Sequence, residues 1–345
     1  MVFYRRKREH MRSFRRLSVS TLVAVYVLIL VGGIVRSTGA GMGCPDWPKC
    51  FGRWVPPTSV SELPTDYKRI YAMHREKKNQ RFAKYLTTFG MTDTAQNILN
   101  DESILLENDF NPVKTWIEYV NRLVGVVIGL LIFALFVVSL RFWKTERTLT
   151  LVAFATFLLV GFQGWIGSVV VSTNLMPWTI TVHMFLALLI VALLIYVVHQ
   201  SNYGKEINSS LGFWWLIASM GVLLVQILLG TQVREAIDQL ATTLSREAWI
   251  SNLGAEFVIH RSFSWIVLIL HVGLIVKLHK TQGSKVFALT LILLILGTIL
   301  SGMSMAYFAV PPFLQPVHLL LATMTFGMQF LFLLKLKRKE EPTFA

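Results

Sequence analysis

The chain is 345 residues long, 54% hydrophobic and only 15% charged, with a mean hydropathy of +0.56. A soluble domain carries about 25% charged residues, so this composition excludes a water-soluble globule and predicts a polytopic membrane protein. Two cysteines are too few for a disulfide scaffold or a four-cysteine zinc site.

Eight apolar stretches reach the roughly 20 residues that a membrane helix needs. They run over 18–36, 117–140, 149–171, 179–199, 213–233, 257–278, 286–306 and 316–336. The first follows a basic run, as a signal peptide would, and the repeat described below keeps it as a helix. The net charge of +14 resides largely in the first 16 residues, in 141–147, in 277–285 and in the tail. The opposite connections are close to neutral or acidic: 37–116 nets +1 and 235–256 nets −3. The positive-inside rule therefore places both termini in the cytoplasm, and anionic lipid accounts for the basic charge without nucleic acid. The predicted organisation is a basic N-terminus 1–17, a first half 18–199, a linker 200–212, a second half 213–336 and a tail 337–345. The first half includes a long outer segment 37–116. Its middle, around residues 67–106, mixes charged with apolar residues and predicts short amphipathic helices on the outer face.

The two halves resemble each other. Glu118-Tyr-Val-Asn121-Arg122 opens the second helix, and Glu256-Phe-Val-Ile-His260-Arg261 opens the sixth. Thr181-Val182-His183 in the fourth helix matches Pro316-Val317-His318 in the eighth. Gly32-Gly-Ile-Val-Arg36 ends the first and Gly230-Thr-Gln-Val-Arg234 ends the fifth. Matching features in the same order predict an all-α fold of two pseudo-symmetric four-helix bundles, a parallel repeat about the membrane normal.

Ionisable side chains inside a membrane are costly and each calls for a reason. His183, His260 and His318 lie near the outer ends of their helices, with Asn121 at the fourth equivalent position. Two imidazoles from facing helices suit the axial positions of heme iron, where a single buried histidine would more simply be packing. His271, mid-helix and without a repeat partner, reads as packing. His199 and His279 read as interface residues, and His10 and His74 as solvated. Arg36, Arg122, Arg234 and Arg261 sit at outer helix ends, where they either snorkel to headgroups or pair with porphyrin propionates. Glu118 shares a helical face with Asn121 and Arg122, and Glu256 precedes His260 by one turn. Each glutamate reads as a helix-dipole partner or as an acid/base group beside a cofactor. Cys44 and Cys50 fall on the outer side, where an oxidising compartment favours a disulfide; a redox-active pair is the alternative.

These residues resemble the heme A synthase family along the whole chain. Gly32–Gly41 leading into Cys44-Pro-Asp-Trp-Pro-Lys-Cys50 resembles the family's first helix and outer cysteine loop, and Trp116–Arg122 its Glu-x-x-His-Arg segment. His183, His260 and His318 match three of four heme-ligand histidines, and Asn121 stands where the fourth would be. The resemblance implies oxidation of a heme O methyl to the formyl of heme A, with heme b held between His260 and His318. It further implies a substrate site in the first half with Glu118 essential, and a multi-pass protein of the bacterial plasma membrane. Expected partners are a heme O synthase and cytochrome oxidase assembly factors, and a homo-oligomer is compatible with it. With Asn121, iron in the first half is five-coordinate through His183, binds water or oxygen on its open side, or recruits a ligand such as His74. The competing readings are a bis-histidine cytochrome b electron-transfer subunit and a parallel-repeat transporter, of which the latter would place its polar residues at mid-membrane.

Overall fold

The computed structural model describes residues 2–201, 207–208, 213–279 and 284–337. Lys280, Arg338, Lys339, Glu340 and Glu341, which enter the charge argument, lie outside the described residues, as do most of the linker 200–212 and of the tail 337–345.

Among the described residues the regular structure is helical apart from a two-residue parallel pairing of Ile207–Asn208 with Leu336–Lys337. In chain order the helices are α1 (Val2–Ser37), α2 (Tyr67–Thr88), α3 (Thr92–Asn100), α4 (Pro112–Ser139), α5 (Arg147–Ser172) and α6 (Pro177–Gln200). They continue with α7 (Phe213–Leu240), α8 (Trp249–Asn252), α9 (Ala255–His279), α10 (Lys285–Tyr307) and α11 (Leu314–Lys335). Eight of these, all but α2, α3 and α8, are long and apolar enough to cross a membrane. Helix is the form such segments take because lipid offers no partner to an open backbone. Sequence also sets the starts: Pro112 and Pro177 occupy first-turn positions, where a missing N–H costs nothing, and Asn111 Oδ1 caps α4 through the Lys114 amide at 3.1 Å.

The first helix starts earlier than its apolar stretch predicts. A basic run free of Gly and Pro favours helix, so α1 extends through the segment read as a separate N-terminus. Met11 and Phe14 are buried there, and the Phe14 ring meets Phe142 edge-on at 5.3 Å.

Helix neighbours form two closed circuits. In the first half α1 packs on α4, α4 on α5, α5 on α6 and α6 back on α1; in the second, α7, α9, α10 and α11 do the same. In each circuit the second and fourth spans lie diagonally opposite: α4, with Asn121, across from α6, with His183, and α9, with His260, across from α11, with His318. The halves meet through α1, α6, α7 and α11. At that junction a Cβ on Gly33 would lie 2.7 Å from Pro316 Cβ, so only glycine allows α1 and α11 to approach this closely.

Two outer turns repeat atom for atom. After α5, Leu175 N–H bonds to Val170 O at 2.9 Å; after α10, Val310 N–H bonds to Met305 O at 2.8 Å. Asn174 and Leu175 (φ 51° and 63°) and Ala309 and Val310 (φ 52° and 53°) are consecutive left-handed residues in these turns. His183 and His318 each follow nine residues after the first of the pair, so the same turn delivers each histidine at the same height.

The outer segment forms α2 and α3, folded against the first half. Asn79 Nδ2 donates to Ser172 O at 2.8 Å, and the Phe82 ring stacks on Trp178 and meets Trp165 edge-on, with centroids 6.1 Å apart in both cases. Arg75, 1% exposed, donates to Ile104 O at 2.8 Å and pairs with Glu107 at 2.5 Å, fixing the return of the chain towards α4.

Candidate functional site

A glycine on each of the first, third, fifth and seventh spans faces Asn121, His183, His260 or His318 on the span that follows. A Cβ on Gly167 of α5 would lie 3.4 Å from His183 Cε1. On Gly230 of α7 it would lie 3.2 Å from His260 Cε1, and on Gly302 of α10, 3.1 Å from His318 Cε1. The fourth pair is Gly32 and Asn121 Oδ1, at 3.9 Å. The imidazoles therefore lie against bare backbone, and their position is set by a neighbour that has no side chain.

Hydrogen bonds add to this frame. Gln163 Nε2 donates to the carbonyl of His183 at 2.9 Å, and Gln226 Nε2 to the carbonyl of His260 at 3.0 Å. Each glutamine is four residues before the facing glycine. Thr298, four before Gly302, serves differently: His318 Nδ1 lies 3.0 Å from Thr298 O and 3.0 Å from Ser301 Oγ. A proton on Nδ1 satisfies the carbonyl and leaves Nε2 as the lone-pair nitrogen, the state a metal ligand needs. His183 Nδ1, His260 Nδ1 and Asn121 Oδ1 are buried without a hydrogen-bond partner. His260 is an electrostatic neighbour of His318 across the diagonal of the second half.

These observations bear on whether heme fits. A flat group between diagonal helices needs little bulk beside the imidazole rings, which the facing glycines provide, and the bonds to His318 Nδ1 leave its Nε2 to face such a group. Among the described residues, no cluster of three or more His, Cys, Asp or Glu side chains forms.

Three of the four arginines at the outer helix ends, Arg36, Arg122 and Arg234, have carboxylate partners. The Arg122 guanidinium donates to Cys44 O at 2.9 Å, Lys49 O at 3.0 Å and Asp46 O at 2.5 Å, and pairs with Glu118. Glu118, 4% exposed, also accepts from the Cys44 amide at 2.7 Å. The two side chains thus clasp the Cys44–Cys50 loop, which is closed by a disulfide with both cysteines fully buried. Arg36 pairs with Asp238 at 2.9 Å, and Arg234 pairs with Asp238 at 2.5 Å and with Gln315, tying α1, α7 and α11 together at the outer rim. Arg261 stands exposed over the Phe257 ring, 5.7 Å from its centroid. Glu256 Oε1 accepts from the Gly254 amide at 2.7 Å and so closes the start of its own helix.

Over the loop, Phe51 meets Tyr67, Tyr71 and Phe110 edge-on. Burial pushes the Tyr71 phenol up to about 12 and draws the Lys78 amine below its ordinary value. His74 is exposed beside Tyr71, and His10 is exposed as well. His271 is fully buried.

Sequence reasoning missed Gln163, Gln226 and Asp238. The first two leave a signal, a repeated Gln-x-x-x-Gly in α5 and α7, and the third sits one turn after Arg234.

A model of the cytochrome oxidase assembly protein family matches residues 15–330. Among curated proteins, the chain is similar to the heme A synthase of Shewanella oneidensis, 25% identical over 287 residues, covering 79% of this chain and 76% of that one. It is similar to the heme A synthase of Rhizobium etli, 28% identical over 310 residues, with 85% and 75% covered. It is also similar to that of Flavobacterium johnsoniae, 24% identical over 339 residues, with 88% and 92% covered. The family match spans both circuits and every glycine–ligand pair in them, and on that basis the chain belongs to the cytochrome oxidase assembly protein family.

Proposed function

We propose that the chain is a heme A synthase, oxidising the methyl group of heme O to the formyl group of heme A within a bacterial plasma membrane, with both termini cytoplasmic. The observation that supports this best is the fourfold glycine–ligand frame, in which three positions hold histidine and the fourth holds asparagine. A symmetric electron carrier would want two equal pairs. Here the second half has a complete pair, and the first has His183 opposite Asn121.

In this reading residues 18–199 form the substrate half and residues 213–336 the heme b half, as pseudo-symmetric four-helix bundles. His260 and His318 hold heme b, the latter oriented by Thr298 and Ser301. His183 would hold the substrate in the first half, where Asn121, a poor iron ligand, stands at the facing position. Heme iron, when bound there, would supply the oxidising chemistry. Glu118 sits one turn before Asn121 and holds negative charge, shared with Arg122, at the outer mouth of that half. Its carboxylate can hold a proton beside the substrate, and the ion pair with Arg122 fixes its orientation. The outer helices α2 and α3 rest on the ends of α5 and α6 and exclude water from that mouth. Arg36 and Arg234 couple the two halves through Asp238, and Arg261 is free to turn from Phe257 towards a propionate. Heme O arrives from a heme O synthase, and the product passes to cytochrome oxidase assembly.

The deciding experiment is heme extraction and mass analysis from cells that make heme O and express the full chain. Heme A should appear only when the chain is intact. Its absence from cells holding well-folded, heme-loaded protein would exclude the activity.

A further inference from the structure

His271 and Gln329 lie eleven residues inward of His260 and His318 on the same two helices. Eleven residues make close to three turns, about 16 Å, so each stands on the face of the histidine above it. The two side chains meet across the diagonal of the second half: Gln329 Nε2 is 2.9 Å from His271 Nε2, with the residues 1% and 0% exposed. His271 Nδ1 lies 2.7 Å from Val267 O, which takes the ring proton and leaves Nε2 to accept from the Gln329 amide. A polar bar thus crosses the interior of the bundle below the ligand histidines.

The first half has the same frame and a different floor. Eleven residues inward of Asn121 is Ile132, and eleven inward of His183 is Leu194; they are 1% and 0% exposed and belong to one hydrophobic cluster. Packing of diagonal helices at this depth therefore does not require a polar pair. The second half maintains one in apolar surroundings all the same.

We infer that the two floors sort the hemes. The aliphatic floor of Ile132 and Leu194 admits the isoprenoid tail of heme O, and the His271–Gln329 bar reserves the second half for a heme without a tail. A porphyrin ring held at His260 and His318 ends short of a level three turns away, so only a long substituent reaches it. A tail entering there would part the His271–Gln329 bond and strand both partners in hydrocarbon, which neither water nor lipid would relieve. In the first half the same tail meets methyl groups, which pack against isoprenoid carbon as well as against each other. His271 and Gln329 are specificity residues and touch no reacting atom. The inference rests on the assignment of heme b to the second half and substrate to the first.

The test uses the full-length chain expressed in cells making both heme b and heme O. With His183→Ala to disable the first half, the retained heme should be heme b. Adding His271→Ile and Gln329→Leu should raise the ratio of heme O to heme b at least tenfold by mass analysis, with the low-spin spectrum kept. An unchanged ratio in folded, heme-loaded protein overturns the inference. Should that variant fail to fold, the reciprocal pair Ile132→His with Leu194→Gln decides: tail-bearing heme should fall at least tenfold while heme b content holds, and unchanged tail-bearing heme overturns it. Failure of the underlying assignment has its own signature. Heme b retained at full low-spin intensity after both His260→Ala and His318→Ala would show that the second half is not its site, and would remove the inference with it.

Discussion

The amide of Cys44 donates to Glu118 Oε2 at 2.7 Å, so the carboxylate proposed for catalysis also anchors the disulfide loop. Closing a loop this short contributes about 2–3 kcal/mol by the chain-entropy argument. The two roles of Glu118 separate in Glu118→Gln, which retains an acceptor for the Cys44 amide and removes the charge facing Arg122. This variant is expected to fold, retain heme b, and accumulate heme O or its hydroxylated form in place of heme A. Normal heme A output from well-expressed Glu118→Gln would leave the residue as a loop anchor alone. Cys44→Ser with Cys50→Ser provides the contrast, and should lower thermal stability while heme A still forms.

The contact between Gly302 and His318 makes a second expectation. A methyl at Gly302 would come 3.1 Å from His318 Cε1, and the ring is also held by Thr298 and Ser301, so it has little room to yield. Gly302→Ala should reduce the low-spin heme signal several-fold although both ligand histidines remain. Gly161→Ala in α5, where nothing lies within 4 Å of an added Cβ, should leave the signal unchanged. An unaltered spectrum for Gly302→Ala would show that the glycine does not position the ligand.

Much of this architecture is legible in the sequence, because bilayer thickness and charge asymmetry act on composition directly. The spans, and the equivalent places of Asn121, His183, His260 and His318, follow from hydropathy and internal repetition. The partners of the polar side chains do not. Arg122 and Glu118 turn towards the Cys44–Cys50 loop, and Arg36 and Arg234 share Asp238, because loop trajectories and the rim between halves decide which groups meet there. Nor does periodicity say that α1 runs on through its basic residues to bury Phe14 against Phe142, since the apolar signal ends before the helix does.

Asn121 offers a direct test of the asymmetry between halves. Its Oδ1 is buried and unpartnered, and the nearby Gly32 leaves space for a larger ring. Asn121→His would supply a strong second donor opposite His183. Heme bound in the first half should then turn low-spin and lose the ability to bind carbon monoxide. If Asn121→His protein retains carbon monoxide binding in full, His183 and residue 121 do not face one iron.

The paired turns before α6 and α11 allow a stability expectation with its own control. Left-handed geometry costs a non-glycine residue about 1–2 kcal/mol, and a glycine gives back about 0.4–1 kcal/mol through greater freedom of the unfolded chain. Ala309, at φ 52° and only partly buried, has little packing to lose, so Ala309→Gly should stabilise by about 0.5–1 kcal/mol. Asn174 sits at the matching position, but asparagine tolerates this geometry better and its Nδ2 donates to Ser103 O at 3.1 Å, fastening the outer segment to the turn. Asn174→Gly should therefore give no gain. Thermal release of heme from detergent-purified protein measures both. A midpoint that rises by a few degrees for Ala309→Gly and holds or falls for Asn174→Gly is the expected pattern. A lower midpoint for Ala309→Gly would mean that the turn is not a source of strain and that the alanine methyl is needed where it lies.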